Sequence, residues 1–313
     1  YNETQDSDGD GYADLGGEAA EKAIAVGPAN AAGLSSIAIG SEASTSTDAE
    51  LAIAIGAFSK GYAPTSIAIG NGASTTADAA GGISLGVNSE VSGTGGIAIG
   101  NASKAVGESS LSLGSNAASG GIGSLALGLN SVAATSATNA LAIGSDSYVG
   151  GAEGVALGNM SSALGMKSIA IGSKAEIIDT EALGSIALGS EISIADTHAV
   201  GIGENIFLAG KRILAGVYKT TNTADSRNLL LGNSIGNIQG NLNILQGNEV
   251  NNNGSQNLLL GNSMNNVEGD FNILQGNKVT NTIGSNNLMQ GNAIANVSGN
   301  KNILVTGGAG FVG

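Results

Sequence analysis

The chain has 313 residues, 52 of them Gly, no Cys, no Trp, two Pro and a formal net charge of −14. Aromatics at 3% cannot fill an ordinary globular core of this length, yet 42% apolar content excludes disorder for want of hydrophobicity. The acidity disfavours nucleic acid and anionic membrane surfaces as partners, and the absence of Cys removes disulfides and thiol chemistry.

Residues 1–18 form an acidic opening segment. Asp6, Asp8, Asp10 and Asp14 surround Gly9 and Gly11, and the carbonyl of Tyr12 could join their carboxylates around one ion. Hard oxygen donors at alternate positions of a Gly-turned loop suit calcium. Gly17 stands where such a loop places its bidentate Glu, with Glu18 beside it. Two readings stay open here, a calcium loop and a solvated acidic terminus. No other cofactor is expected. No charged and apolar leader begins at Tyr1 and no apolar stretch approaches membrane-span length, so insertion of this segment into a membrane is not expected. Any signal or anchor is expected to have been removed or to lie beyond these residues.

Residues 19–203 repeat one unit: aliphatic, small, aliphatic, Gly. Ile37-Ala38-Ile39-Gly40 and Ile67-Ala68-Ile69-Gly70 are examples among thirteen copies, the first at Ile24 and the last ending at Gly203. Successive glycines are usually 14 apart, with steps of 16 before Gly56, Gly86 and Gly144 and of 17 before Gly189. Aliphatics two apart share one face of a strand, Gly permits a tight turn, and a weaker strand such as Ala43-Ser44-Thr45 follows. Two short strands and two turns per period describe one coil of an all-β parallel β-solenoid (β-roll), with the aliphatic pair expected as its buried core. One coil cannot stand alone; stacking must complete it. A roll this narrow calls for neighbouring chains.

The longer steps are loop insertions, near Thr45 to Glu50, Thr75 to Ala80, Ala133 to Asn139 and Ile177 to Glu181. Strand positions must match the coils above and below, whereas insertions project and can carry recognition. They are expected along one edge, with Phe58, Tyr62, Tyr148 and Ile178 as partner-binding anchors. Solvated spacer loops are the alternative. His198 is the only His, so no His-based triad or multi-His metal centre is available within one chain.

Residues 204–227 break the rhythm and gather Lys211, Arg212, Lys219 and Arg227 into a cationic connector. Residues 228–313 hold a second array, with Asn228-Leu229-Leu230-Leu231-Gly232-Asn233 and Asn243-Ile244-Leu245-Gln246-Gly247-Asn248 as its opening copies. Of residues 228–305, 22 are Asn. Stacked at matched phases they would form amide ladders, so this array is expected to be more solenoid. Val305 to Gly313 resembles a dinucleotide-binding turn, but the chain lacks the helix, strand and acidic ribose contact that such a turn needs. A Gly-rich end to the array is the reading that fits.

Ser36-Ile37-Ala38-Ile39-Gly40 with Ser41-Glu42-Ala43-Ser44, and Ser168-Ile169-Ala170-Ile171-Gly172 with Ser173-Lys174-Ala175, resemble the YadA-like head of trimeric autotransporter adhesins. The resemblance runs over roughly residues 23–203. It implies a left-handed parallel β-roll, a homotrimer, display on the bacterial outer membrane and cell surface, and attachment to a host surface glycoprotein or extracellular-matrix protein. Arg212 to Val217 with Thr223 to Asp225 resembles the neck that follows such heads, although the chain continues into the Asn-rich array. A multivalent adhesin head, not an enzyme, is the expected function. The alternative is a structural spacer in a phage or surface fibre.

Overall fold

A computed structural model describes residues 18–209, 213–222, 228–246, 248–260, 264–276, 279–291 and 295–305. The chain is an all-β parallel β-solenoid with coils of about 14 residues, and no helix occurs among the described residues. Two compact units divide it, Tyr1–Met160 and Ser161–Gly313.

In the first unit each coil opens with a leading strand of three residues, turns at a Gly, adds a following strand of two residues and closes with a return turn. Ile67–Ile69 and Ser74–Thr75 are one such pair. Leading strands pair in parallel without slippage: Ile37 with Ile53, Ile53 with Ile67, Ile67 with Ile83. Following strands do the same, Ser44 with Lys60 and Lys60 with Ser74. Each backbone group therefore finds its partner in the adjacent coil, about 4.8 Å away.

The interior of the first unit corrects the sequence expectation. Ala38, Ala54, Ala68 and Ala98 are wholly buried, while the aliphatics on either side of each point outward. Val91 and Val149 are the only buried hydrophobics larger than Ala among the described residues of this unit. The reason is width. The two strands of one coil lie so close that their inward side chains meet at methyl and hydroxyl size. Some inward hydroxyls pair across the coil, Ser36 with Thr45 at 2.8 Å, Ser66 with Thr75 at 2.9 Å, Ser84 with Ser89 at 2.7 Å and Ser112 with Ser119 at 2.6 Å, and others such as Ser59 and Ser131 donate to a carbonyl three residues back. These buried hydroxyls are thus satisfied by partners within the protein.

The recurrent Gly has two causes that coincide. Gly40 and Gly56 sit at φ +129° and +126°, a region closed to side chains. A Cβ at Gly40 would lie 2.8 Å from the carbonyl oxygen of Gly56, and one at Gly56 2.5 Å from that of Gly70. Coil spacing alone forbids a methyl there. The return turn is more tolerant: its left-handed residue is Leu51, Thr65, Gly81 or Asn139 in different coils.

The second unit keeps the stacking and changes the filling. Its leading strand Ile169–Ile171 pairs with Ile186–Ile194, which pairs with Val200–Leu208 and then Leu214–Asn222. The described part of the connector is therefore another strand in register, and Leu214 pairs onward with Leu229. Here Ala187, Gly201 and Ala215 leave space that Ile192, Ile194, Ile206 and Leu208 take from the other strand, all four at most 1% exposed. A Cβ at Gly201 would already touch Ile192, Ile206 and Leu208 at 3.2–3.5 Å. In the Asn-rich coils Leu230, Leu245, Leu259, Leu274 and Met289 fill the interior, each at 0% exposure.

Asn residues just before each leading strand form the ladder expected there, with a different bonding pattern. The backbone N–H of Asn243 donates to Asn228 Oδ1 at 2.9 Å, Asn257 to Asn243 at 2.9 Å, and Asn272 to Asn257 at 2.8 Å. The Nδ2 groups of Asn243, Asn257 and Asn272 donate to the carbonyls of Gly254, Gly269 and Gly284 at 2.9–3.0 Å. The amides thus bridge backbone to backbone between coils. Side chain meets side chain between successive ladder positions at Asn302 Nδ2 and Asn287 Oδ1, 3.0 Å apart.

Two substitutions test this account by denaturation. Gly56→Ala is expected to cost about 2–5 kcal/mol through combined strain and overlap, whereas Gly81→Ala, in the tolerant column, should cost about 1 kcal/mol. Equal effects at both sites would contradict the close-approach explanation. Asn257→Ala strands the N–H of Asn272 and the carbonyl of Gly269, and is expected to cost about 2–5 kcal/mol. Hydrogen exchange should show the loss concentrated in the coils at residues 243–287; unchanged protection there would remove the ladder as a stabilising element.

Candidate functional site

The surface of the first unit presents four longitudinal features: the outer faces of the two strands and the two columns of turns. The outer face of the leading strands is the most distinctive. Ten such strands run from Ile24–Val26 to Val155–Leu157, and every outward position on them is Ile, Leu or Val. Ile24, Ile69, Leu113 and Leu157 remain 38–46% exposed. Strand spacing makes this apolar face about 45 Å long. Contiguous apolar surface of that extent marks an interaction site. Sequence reading missed it by assigning these aliphatics to the core. The signal was present in the residue between them, Ala or Ser in nearly every copy, which suits a narrow interior.

The return turns form a second column. Thr65 donates its N–H to Glu50 O at 2.8 Å, Gly81 to Pro64 O at 3.0 Å, Gly95 to Ala80 O at 2.8 Å and Asn139 to Ile122 O at 2.8 Å. The widened turns after Thr45, Thr75 and Ala133 all fall in this column, so within the first unit the insertions share one edge. Exposed Asp48, Glu50, Asp78, Glu108 and Glu153 lie along it. The edge is acidic because the extra residues and corner positions carry carboxylates with no cation between them in the column. The fourth insertion, Ile177 to Glu181, belongs to the second unit, where Asp179 Oδ1 accepts from the N–H of Glu181 at 2.9 Å.

The anchors expected from sequence are not gathered together. Phe58 is 50% exposed at φ 59° in the Gly turn, the corner opposite the insertions. Tyr62 is half-buried beside the following strand, with its hydroxyl 3.1 Å from Ser44 Oγ of the preceding coil. Tyr148, 39% exposed, opens the following strand Tyr148–Val149. Six pairing steps separate the strand beside Tyr62 from that of Tyr148, roughly 29 Å at the usual strand spacing. Ile178, 44% exposed, lies in the second unit.

The remaining polar surface is structural in its bonding. In the Gly-turn column Asn116 donates to Asn130 at 3.1 Å and Asn130 to Asp146 at 3.0 Å, and the bond from Asn130 with that from Ser145 holds the Asp146 carboxyl below the usual range. Lys104 and Glu90, on adjacent following strands, form a 3.4 Å surface ion pair. His198 is exposed in a return turn, its N–H donated to Leu183 O at 2.9 Å. Among the described residues no group of three His, Cys, Asp or Glu could hold a metal ion. Asp6, Asp8, Asp10, Tyr12 and Asp14 lie outside the described residues, as do Lys211, Arg212, Arg227 and residues 306–313.

A comparison with curated proteins gave no match. A family model described as YadA head domain repeat (2 copies) matches residues 77–103, 92–117, 105–131, 119–147 and 150–175. The first four of these matches overlap in turn along the coils and the fifth follows them, and the family is one of structural adhesins rather than enzymes. Residues 77–175, folded as a parallel solenoid of outward aliphatic pairs on an Ala core, are thus similar in sequence to the YadA head repeats of trimeric autotransporter adhesins.

Proposed function

We propose that this chain is the head of a homotrimeric bacterial surface adhesin, displayed outside the cell on the outer membrane, that attaches to a host surface glycoprotein or matrix protein. The outward aliphatic face carries the reading. A monomeric first unit would bury little beyond Ala and Ser while leaving Ile and Leu in water along its whole length. Covering a single Ile or Leu stabilises by about 1.5–3 kcal/mol, so three chains packed on this face gain what one coil lacks. The YadA head repeats support the same assembly and the same setting.

Attachment falls to surfaces that the assembly leaves open. The widened return turns suit this role because strand register does not constrain them, and trimerisation presents each weak contact three times. Their carboxylates favour a cationic patch on the partner. Phe58 and Tyr62 on one coil, with Tyr148 and Ile178 on two others, supply further apolar contact. The acidic opening at Asp6 to Asp14 would take calcium.

Light scattering at low concentration is expected to give about three times the chain mass of 30.3 kDa. Ile69→Asp with Leu113→Asp should abolish the trimeric mass and, because folding is coupled to association, lower the melting temperature and the β signal in circular dichroism. A variant pair that stays trimeric would place the interface elsewhere. For attachment, Gly/Ser replacement of residues 46–49, 76–79 and 134–137 in a chain that keeps its trimer should lower receptor affinity at least about tenfold. Binding by the intact trimer should weaken as salt rises. Affinity unchanged by all three replacements would locate the receptor site away from the return edge.

A further inference from the structure

The second unit continues the outward face of its leading strands, and there the face acquires a pattern. Its first column is aliphatic in every coil from Ile169 to Ile303, in unbroken register. Ile244, Ile273 and Leu288 on this column are 40–46% exposed. The column two residues onward reads Leu231, Gln246, Leu260, Gln275, Gln290, Val305, also in register and also outward, with the three Gln exposed. The strand Ile169–Ile171 belongs both to this unit and to the matched residues 150–175. One continuous face therefore leads from a YadA-like coil into the Asn-rich array.

We infer that the Asn-rich array joins the homotrimer through this same face, and that Gln246, Gln275 and Gln290 set the axial register of the three chains. The inference rests on the proposed trimer. A ladder whose rungs are all aliphatic cannot sense slip: moving one chain by a coil puts Ile on Ile again and loses only the end rung. Every outward leading-strand position of the first unit is of this kind. An amide in the stripe does sense it. Three Gln at one height can each donate Nε2–H and accept at Oε1, closing a ring around the axis. Opposite Leu, the same amide is desolvated with no partner. The order of residues in this column matches itself at no other offset. A one-coil slip sets Gln246 against Leu260; a two-coil slip restores Gln246 to Gln275 but sets Leu260 against Gln290 and Gln275 against Val305. A lone polar residue in the apolar seam of a coiled coil fixes register in the same way, at a cost in stability.

The absence of Cys from the chain permits a direct test. Full-length chains bearing Leu258→Cys and, separately, Ile273→Cys are co-expressed with tags of different size and linked with short thiol reagents. These positions occupy adjacent coils of the aliphatic column. In register, homotypic links should exceed mixed links by at least about fivefold, because one coil of offset adds about 4.8 Å. With Gln246→Leu, Gln275→Leu and Gln290→Leu together, the trimer mass should persist, the melting temperature should hold or rise, and mixed links should approach homotypic ones. Should the triple variant aggregate, Gln246→Leu with Gln275→Leu gives the same reading. A ratio unchanged by the Leu variants overturns the register role. A trimeric mass with no interchain link at either Cys, by any reagent spanning up to about 13 Å, removes the array from the interface and leaves the trimer standing. A monomeric mass overturns the trimer itself, and this inference with it.

Discussion

Coils that stack about 4.8 Å apart and are barely one side chain thick allow only small groups inside, and most of the first unit follows from that narrowness. Ala38, Ala54 and Ala68 fit where Ile cannot. Ser36 and Thr45 can be buried because their hydroxyls reach each other across the coil. Gly56 is required because its Cα faces the Gly70 carbonyl with no room for a methyl. The large aliphatics are then displaced to the outer face, and a hydrophobic surface is created by the same constraint that makes the core so small. The fold and its apolar outer face are two consequences of one geometry.

The second unit relaxes the narrowness in stages. Ile192, Ile194, Ile206 and Leu208 enter from the following strand while the leading strand holds Ala187 and Gly201. From Leu230 onward the leading strand supplies the bulk. The wider interior brings Asn to the position before each leading strand. Its side chain can span from one coil to the backbone of the next, where Ser in the first unit reaches only within its own coil, as Ser66 Oγ to Ala63 O at 2.8 Å.

Much of this was legible in the sequence. The Gly spacing gave coil length, strand placement and the phase of the insertions, because a parallel ladder in register admits no other arrangement of such a period. The Asn at matched phases pointed to ladders for the same reason. What period two could not decide was which face of Ile-Ala-Ile points inward; alternation assigns residues to faces and says nothing of how much room each face has. The residues 204–222 also misled, since Glu204 to Leu208 and Leu214 to Asn222 keep the ladder after the Gly motif is lost. Backbone pairing needs no motif. Anchors chosen for their size, such as Phe58 and Tyr148, were scattered among corners and faces because no periodic rule places a residue that occurs once.

A head built this way divides its labour between periodic and aperiodic positions. In the proposed trimer repeated Ile and Leu hold the chains together, and the insertions and single exposed residues are free to meet a partner. The concentration dependence of thermal unfolding tests the shared face most directly. If chains complete one another's hydrophobic burial, folding is coupled to association, and the melting temperature of the full chain must climb as protein concentration is raised over two or three decades. A melting temperature that stays constant across that range, with the protein monomeric throughout, would show that one narrow solenoid is stable alone and would contradict the account.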